Sequence, residues 1–243
     1  MSRNLLPAGF LVLSSAAFSG EPAHWEYSGE AGPQNWATLS TEYGACAGRN
    51  QSPINLAGLI DAQLKPIGIK YVKAAGEVLN NGHTIQVNAA AGGSITVDGM
   101  DFDLKQFHFH APSENQINGK SFPLEAHLVH ADHDGNLAVV AVLFTEGKAN
   151  KVLEQAWKQM PQDKGAKVAL SSVVDPLGLL PANHDYYRFN GSLTTPPCTE
   201  GVRWLVMKET TTASAEQIEA FKHVIHHPNN RPVQAVNART ILE

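Results

Sequence analysis

Residues 106–130 read QFHFHAPSENQINGKSFPLEAHLVH, and this segment decides both the fold and the candidate site. Successive side chains of a β-strand point to opposite faces of its sheet. Gln106, His108 and His110 would therefore share one polar face of a first strand, with two phenylalanines on the opposite face. The pattern predicts a strand with one polar side and one aromatic side.

The apolar run that ends this segment follows the same alternation. Glu125, His127 and Val129 would lie on one face of a second strand. The opposite face would carry Leu124, Ala126, Leu128 and His130. If the two strands pair, three imidazoles converge on one point.

Three neutral imidazoles form the ligand set of a catalytic zinc site, with a fourth position left for water. The pKa of water bound there falls to about 7, so hydroxide is available near neutral pH. Gln106 and Glu125 each precede a histidine by two residues on the same face, and both side chains can hold an imidazole in one tautomer. We therefore predict Zn²⁺ as cofactor, with His108, His110 and His127 as ligands.

Two other interpretations of these histidines stay open. They could be scattered residues on a half-buried sheet, because short motifs match by chance. The third histidine, with its own carboxylate, argues against this. The other interpretation is a cupin, because His108, His110 and Glu114 match a His-x-His-x3-Glu core. The remaining anchors of that family are not at the required places.

The composition predicts one globular domain without a nucleic-acid partner. The chain has 243 residues, of which 43% are hydrophobic, and this length suits one domain. A formal charge of −5 provides no basic surface for nucleic acid. A small neutral or anionic substrate would be drawn in by the metal.

The N-terminus has the features of a secretory signal peptide. A short basic start precedes an apolar run at residues 5–18, and Ala17-Phe18-Ser19 supplies the small residues that signal peptidase recognises. The run is shorter than the roughly 20 residues that a membrane span needs. We predict a signal peptide at residues 1–20, a domain at residues 21–243 and a periplasmic or secreted protein. An uncleaved amphipathic anchor is the alternative.

The two cysteines, Cys46 and Cys198, both fall in the exported part, where an oxidising compartment permits a disulfide. A single bridge is the one pairing available to them. Two free buried thiols are the alternative.

The rest of the chain reads as short strands with few helices. Glycine, asparagine and aspartate punctuate β-rich runs over residues 67–97. Residues 137–144 are apolar on both faces, which predicts a central strand. Residues 186–199 read as a loop rich in hydroxyls and prolines, and residues 202–207 as another strand.

Two surface helices are predicted. Residues 150–160 carry one apolar stripe, and Ser214 with Gln217 forms a capping box that opens a second helix. Three histidines lie near the end of that helix: His223, His226 and His227. We interpret them as solvated residues favoured at a helix C-terminus, in preference to a second metal site.

Together these features resemble the α-class carbonic anhydrases, especially the secreted bacterial branch, from about residue 24 to residue 239. The resemblance is carried by NQSPIN at 50–55, NNGH at 80–83, QFHFH at 106–110, EAHLVH at 125–130 and SLTTPP at 192–197. We predict a single α/β, β-dominated domain with a large, mostly antiparallel, twisted central sheet and a few peripheral helices.

The resemblance implies a lyase that reversibly hydrates carbon dioxide to bicarbonate and a proton, with zinc as cofactor. Thr194 resembles the gatekeeper threonine of the family, and Glu114 the carboxylate behind it. A glutamate carboxylate only accepts hydrogen bonds, so Thr194 would donate its hydroxyl to Glu114. The threonine oxygen would then accept a hydrogen bond from the zinc-bound hydroxide. Without the family match, both residues read as polar loop residues.

Further roles follow from the same resemblance. His83 is similar to the proton shuttle of the family, a task suited to a side chain that titrates near neutrality; an exposed turn histidine is the alternative. The apolar substrate pocket would consist of Val129, Val139, Leu193, Val202 and Trp204, for which core packing is the competing account. The family also implies a Cys46–Cys198 disulfide and cis bonds before Pro53 and Pro197.

Asn115 departs from the family pattern, which usually has a histidine there, and Phe189 stands where many animal members have a tyrosine. Both changes affect the polar contacts behind the metal ligands.

The expected partners are carbon dioxide and bicarbonate, with a homodimer as an optional assembly. A catalytically silent relative and a different zinc hydrolase are the competing function classes. The silent relatives typically lack a zinc histidine, whereas this chain keeps all three.

Overall fold

One large β-sheet of eleven strands carries the predicted histidines. The structure is a computed structural model that describes residues 23–74 and 76–243, so the predicted signal peptide at residues 1–20 lies outside the described residues. The strands are β1 Asn55–Leu56, β2 Gly68–Lys70, β3 Glu77–Asn80, β4 Ile85–Asn88, β5 Ser94–Val97, β6 Met100–His110, β7 Gln116–Ile117, β8 Leu124–Ala131, β9 Leu137–Glu146, β10 Lys167–Ala169, β11 Tyr186–Ser192, β12 Glu200–Met207 and β13 Thr211–Ala213. The helices are α1 Trp36–Leu39, α2 Lys151–Trp157 and α3 Ala215–Ile225, with 3-10 turns at Gly29–Ala31, Thr41–Ala47 and Pro176–Leu179.

The strand order of the main sheet is β10-β3-β4-β6-β8-β9-β12-β11. In addition, β5 pairs with both β2 and β6, and β13 pairs with β9. Neighbours are antiparallel except for β9, which is parallel to β12 and β13. A separate parallel pair is formed by β1 and β7. The predicted fold class, a β-dominated domain with a mostly antiparallel sheet, is confirmed.

The two histidine strands pair as the alternation predicted. In the antiparallel register of β6 and β8, His108 lies directly opposite His127. β9 lies next to β8 at the centre of the sheet, and its residues 138–144 are all buried, as expected for a run that is apolar on both faces.

The aromatic face of β6 packs against the helices. The ring of Phe109 lies 5.4 Å from that of Trp157 in α2 and 6.2 Å from that of Phe221 in α3. Asn150 caps α2 through its side-chain oxygen, and Ser214 forms the predicted capping box of α3. Each large side chain buried in this way contributes about 1.5–3 kcal/mol. The helices therefore cover the face opposite the histidines.

The prediction of a loop over residues 186–199 was wrong in its first half. Tyr186–Ser192 forms edge strand β11, paired antiparallel with β12, and the loop is confined to residues 193–199. Tyr186 and Phe189 are buried, and aromatic residues favour strands. The prolines that suggested a loop begin only at Pro196.

Cys46 and Cys198 form a disulfide with an S–S distance of 2.01 Å, which excludes the alternative of free thiols. The bridge joins residues separated by 152 positions and contributes about 5 kcal/mol in the chain-entropy model. The Ser52-Pro53 and Pro196-Pro197 bonds are cis as expected, and so is Ala111-Pro112. In the part of the chain that the structure describes, no helix has the length and apolar character to cross a membrane.

Candidate metal centre

The imidazoles of His108, His110 and His127 converge at the polar face of the sheet. One nitrogen of each ring lies within 4.8 Å of one nitrogen of the other two. Among residues 23–74 and 76–243, this is the one group of three or more side chains suited to hold a metal ion.

The second nitrogen of each imidazole is held by an acceptor. His108 Nδ1 lies 2.9 Å from Gln106 Oε1, and His127 Nε2 lies 2.9 Å from Glu125 Oε1. His110 Nδ1 lies 2.7 Å from the backbone oxygen of Asn229. Because these oxygens accept, each ring donates there and presents its other nitrogen as a lone pair. Both predicted supporting residues thus contact the predicted histidines, whereas Asn229 was not predicted.

Burial keeps the three imidazoles neutral. Desolvation lowers the pKa of His108 and of His127 well below the usual value, and the neighbouring rings lower both pKa values further. Burial also lowers the pKa of His110. Neutral imidazoles with lone pairs aimed at one point fit a divalent cation that accepts nitrogen ligands, zinc above all.

Glu125 is fully buried within a set of N–H donors. It accepts from the backbone N–H groups of Glu114 and Asn115 at 2.7 and 2.9 Å, and from the Asn115 side-chain amide at 2.7 Å. Burial raises the pKa of Glu125, while these donors act in the opposite direction. Asn115, the departure from the family pattern, therefore still supplies a donor to this carboxylate. Phe189, the second departure, stacks on Trp204.

Glu114 lies beside the histidines, and Thr194 lies next to Glu114. Glu114 Oε1 accepts from the backbone N–H of Arg231 at 2.8 Å, and Oε2 lies 3.5 Å from His110 Nε2. Burial raises the pKa of Glu114 well above its usual value, and both the Arg231 N–H and the Thr194 hydroxyl oppose that rise. Thr194 is itself buried. The structure thus brings the two predicted loop residues together, and it adds Arg231, which was not predicted.

The cavity at the histidines is lined by polar and aromatic side chains, and an apolar cluster lies next to His127. It has a volume of about 130 Å³ and is lined by Trp25, Tyr27, Asn81, His83, Thr84, Gln86, Gln106, His108, His110 and Thr195. The predicted apolar residues Val129, Val139, Leu193, Val202 and Trp204 form one cluster on the metal face of the sheet. The ring of Trp204 lies 4.8 Å from that of His127. The arrangement is suited to an uncharged small molecule beside a metal-bound nucleophile.

His83 lines the outer part of this cavity. Its ring stacks on Trp25, with a centroid distance of 3.8 Å and an interplanar angle of 11°. Trp25 belongs to the N-terminal segment, whose aromatic residues pack with the buried Trp36. Desolvation lowers the pKa of His83 to about 4. The ring is half-buried, so His83 is not the exposed turn histidine of the alternative interpretation.

A β-sheet protein with a three-histidine centre beside an apolar cluster belongs to a class of candidate metalloenzymes, and comparisons with known proteins identify the family. The family described as "Eukaryotic-type carbonic anhydrase" matches residues 31–243. A carbonic anhydrase of Pectobacterium carotovorum is 46% identical over 100% of both chains. One from Neisseria gonorrhoeae is 48% identical over 96% of this chain and 94% of its own.

A solved structure agrees with these relatives. The α-carbonic anhydrase of Thermovibrio ammonificans, in complex with the inhibitor sulfanilamide, is 53% identical with a TM-score of 0.90, covering 92% of this chain and 100% of its own. The chain belongs to the α-carbonic anhydrase family. It is therefore an enzyme of the carbonate dehydratase type, and hydration of carbon dioxide is the general reaction of its family.

Proposed function

We propose that the chain is a zinc-dependent carbonic anhydrase that converts carbon dioxide and water reversibly into bicarbonate and a proton. The convergence of His108, His110 and His127 carries the proposal, because each ring has one nitrogen held by an acceptor and the other aimed at a common point. These three residues would hold the zinc ion. Zinc bound there would lower the pKa of a bound water to about 7 and so supply hydroxide near neutral pH.

Thr194 and Glu114 would orient the nucleophile. Glu114 already accepts the N–H of Arg231 on one oxygen, so its other oxygen is left to accept from the Thr194 hydroxyl. A threonine that donates its own proton must accept the proton of the attacking group. The nucleophile would then direct a lone pair towards the substrate carbon.

The apolar cluster would hold carbon dioxide and keep bulk water away from it. Val139, Val202 and Trp204 are buried there, with Val129 and Leu193 partly buried beside them. A substrate without charge gains from such a surface, while bicarbonate, once formed, is poorly accommodated by it. His83, which lines the cavity, would relay the proton that each hydration releases.

Three further expectations belong to the same proposal, and they concern the mature domain, the location and the assembly of the protein. The mature domain would comprise residues 21–243 after removal of the signal peptide at residues 1–20, and the protein would be periplasmic or secreted. The Cys46–Cys198 disulfide supports this location, because such bridges persist in oxidising compartments. A homodimer stays a prediction.

Stopped-flow measurement of carbon dioxide hydration tests the proposal. The purified protein should accelerate hydration, lose this activity on removal of zinc by a chelator and regain it when zinc is restored. A circular-dichroism spectrum recorded at each stage controls for unfolding. Zinc-loaded, folded protein that leaves hydration at its spontaneous rate would refute the proposal and favour a catalytically silent relative.

A further inference from the structure

Two histidines lie beside the Tyr27 ring at the mouth of the metal cavity. The ring centroid of Tyr27 is 6.4 Å from that of His83 and 6.0 Å from that of His227. His227 follows α3 and is half-buried, whereas His223 and His226 are exposed and contact each other. The histidines at the end of α3 are therefore not equivalent, since His227 packs against Tyr27, a residue that lines the cavity.

His83 is poorly placed to hold a proton in its stacked position. An imidazolium ion has two N–H donors. Within the described part of the chain, the buried Nδ1 of His83 has no hydrogen-bond partner. Protonation would leave that N–H buried without an acceptor, which is unfavourable. Of the charged and titratable neighbours, Glu26 favours the protonated ring, while Lys164, His24 and His227 oppose it.

His227 has the arrangement that His83 lacks. Its Nδ1 lies 3.1 Å from the backbone oxygen of Pro228, an atom that only accepts. The neutral ring therefore carries its proton on Nδ1 and presents the lone pair of Nε2. When Nε2 gains a proton, the N–H at Nδ1 still faces a carbonyl oxygen, and within the described residues Nε2 is not among the buried atoms that lack a partner.

The backbone after His227 is fixed to the metal centre. Asn229 donates its side-chain amide to the backbone oxygen of His83 at 3.0 Å. Its own backbone oxygen accepts from His110 at 2.7 Å. The position of the His227 ring relative to the cavity is therefore set by the same residue that holds a metal ligand.

We propose that His227 is a second proton acceptor for the hydration reaction, located at the cavity mouth beside Tyr27. The inference rests on the proposed function. Each turnover consumes one carbon dioxide and one water and releases one bicarbonate and one proton. That proton passes through cavity water to Nε2 of His227, directly or after His83, and a buffer base then removes it, so charge and atoms balance without any further reactant.

Steady-state hydration in a dilute, bulky buffer tests the inference. Because proton removal follows the formation of bicarbonate, His227→Ala should lower kcat while leaving kcat/KM within about twofold. We expect kcat to fall at least about threefold, and at least about tenfold in the His83→Ala, His227→Ala double variant. Added imidazole should restore kcat in both. His223→Ala, which removes an exposed histidine of α3, is the matched control and should leave kcat unchanged.

A second readout does not depend on activity. The carbon-bound hydrogens of the His227 imidazole can be correlated with its two ring nitrogens by NMR in the zinc-loaded protein. The neutral ring should carry its proton on Nδ1 and have an unprotonated Nε2, because Nδ1 faces the Pro228 oxygen. An unchanged kcat in His227→Ala, with full hydration activity in the unsubstituted protein, would overturn the inference and leave the proposed function intact. So would a neutral His227 ring that carries its proton on Nε2, because its accepting nitrogen would then face the Pro228 oxygen.

Discussion

The two buried histidines of β8 lie three residues apart on opposite faces of the sheet, and they differ in what their nitrogens contact. His127 and His130 are both almost inaccessible, and burial lowers the pKa of each. His130 uses both ring nitrogens, with Nε2 2.9 Å from the Tyr71 hydroxyl and Nδ1 3.3 Å from the Ala138 oxygen. His127 uses one nitrogen for Glu125 and aims the other at two further imidazoles.

The difference shows that burial and a lowered pKa do not identify a metal ligand. A histidine becomes a candidate ligand when one nitrogen is held by an acceptor and the other faces a shared point. His130 meets the first condition and not the second. The two faces of β8 should therefore respond differently to substitution: the metal face in activity and zinc affinity, and the opposite face in stability.

The largest expected effect comes from Thr194→Ala on the metal face. Loss of the positioned hydroxyl should lower kcat/KM for carbon dioxide hydration about 100-fold, with zinc content retained. Tyr71→Phe, which removes the hydroxyl beside His130, is the control and should leave kcat/KM unchanged. Stopped-flow kinetics on both variants check this. Equal losses in the two would mean that the faces are not functionally distinct.

Glu125→Gln should weaken zinc binding by about 10–100-fold, because a neutral amide holds His127 less firmly in the ligand tautomer. Competition with a chromophoric chelator measures the affinity. Glu77→Gln, a partly exposed residue on β3, is the matched control. Zinc affinity unchanged in Glu125→Gln would remove the main distinction drawn between His127 and His130.

His130 should make stability depend on pH. Its pKa in the folded protein is about 4, below its ordinary value of 6.5, so the unfolded chain binds more protons between these values. The free energy of unfolding should therefore fall as the pH drops from 6.5 to 4, and His130 should account for up to about 1.4 kcal/mol per pH unit of that slope.

His130→Phe should flatten this dependence in urea titrations performed at several pH values. His133→Phe is the control, because the His133 side chain is 88% exposed. A slope that is equally steep in His130→Phe and in the unsubstituted protein would assign the acid sensitivity to other groups.

The smallest expected effect is that of Asn115→Ala. The variant loses one donor to Glu125, but the backbone N–H groups of Glu114 and Asn115 still hold the carboxylate. Zinc affinity should therefore fall less than about tenfold, measured in the same chelator assay. Gln116→Ala, whose side chain bonds Ser121 at the surface, is the control. A loss of zinc affinity larger than that of Glu125→Gln would mean that the Asn115 amide contributes more to zinc binding than the Glu125 carboxylate does.

The sequence predicted those parts of the site that follow from local spacing. The period of two places the metal ligands on one face of each strand, and the residues two positions earlier reach the same rings. The pairing of His108 with His127 follows from the same rule once the strands are adjacent. The capping box of α3 is equally local, since its two residues are three positions apart.

The contacts that were not predicted come from distant backbone groups. The Asn229 oxygen that holds His110 is 119 positions away, and the Arg231 N–H that holds Glu114 is 117 positions away. Any residue type supplies such a group, so the side-chain pattern carries no signal for it. Strand β11 was not predicted for a different reason. Its hydroxyl groups and the prolines that follow it suggested a loop, although the segment also carries aromatic residues that favour a strand.

Zinc stoichiometry in paired variants tests the central claim most directly. The metal content of purified, zinc-equilibrated protein is measured by mass spectrometry for the unsubstituted chain, His127→Ala and His130→Phe, each checked for folding by circular dichroism. We predict one zinc per chain in the unsubstituted protein and in His130→Phe, and a large loss of zinc in His127→Ala. Full zinc occupancy in folded His127→Ala, or loss of zinc from folded His130→Phe, would contradict the assignment of the metal face.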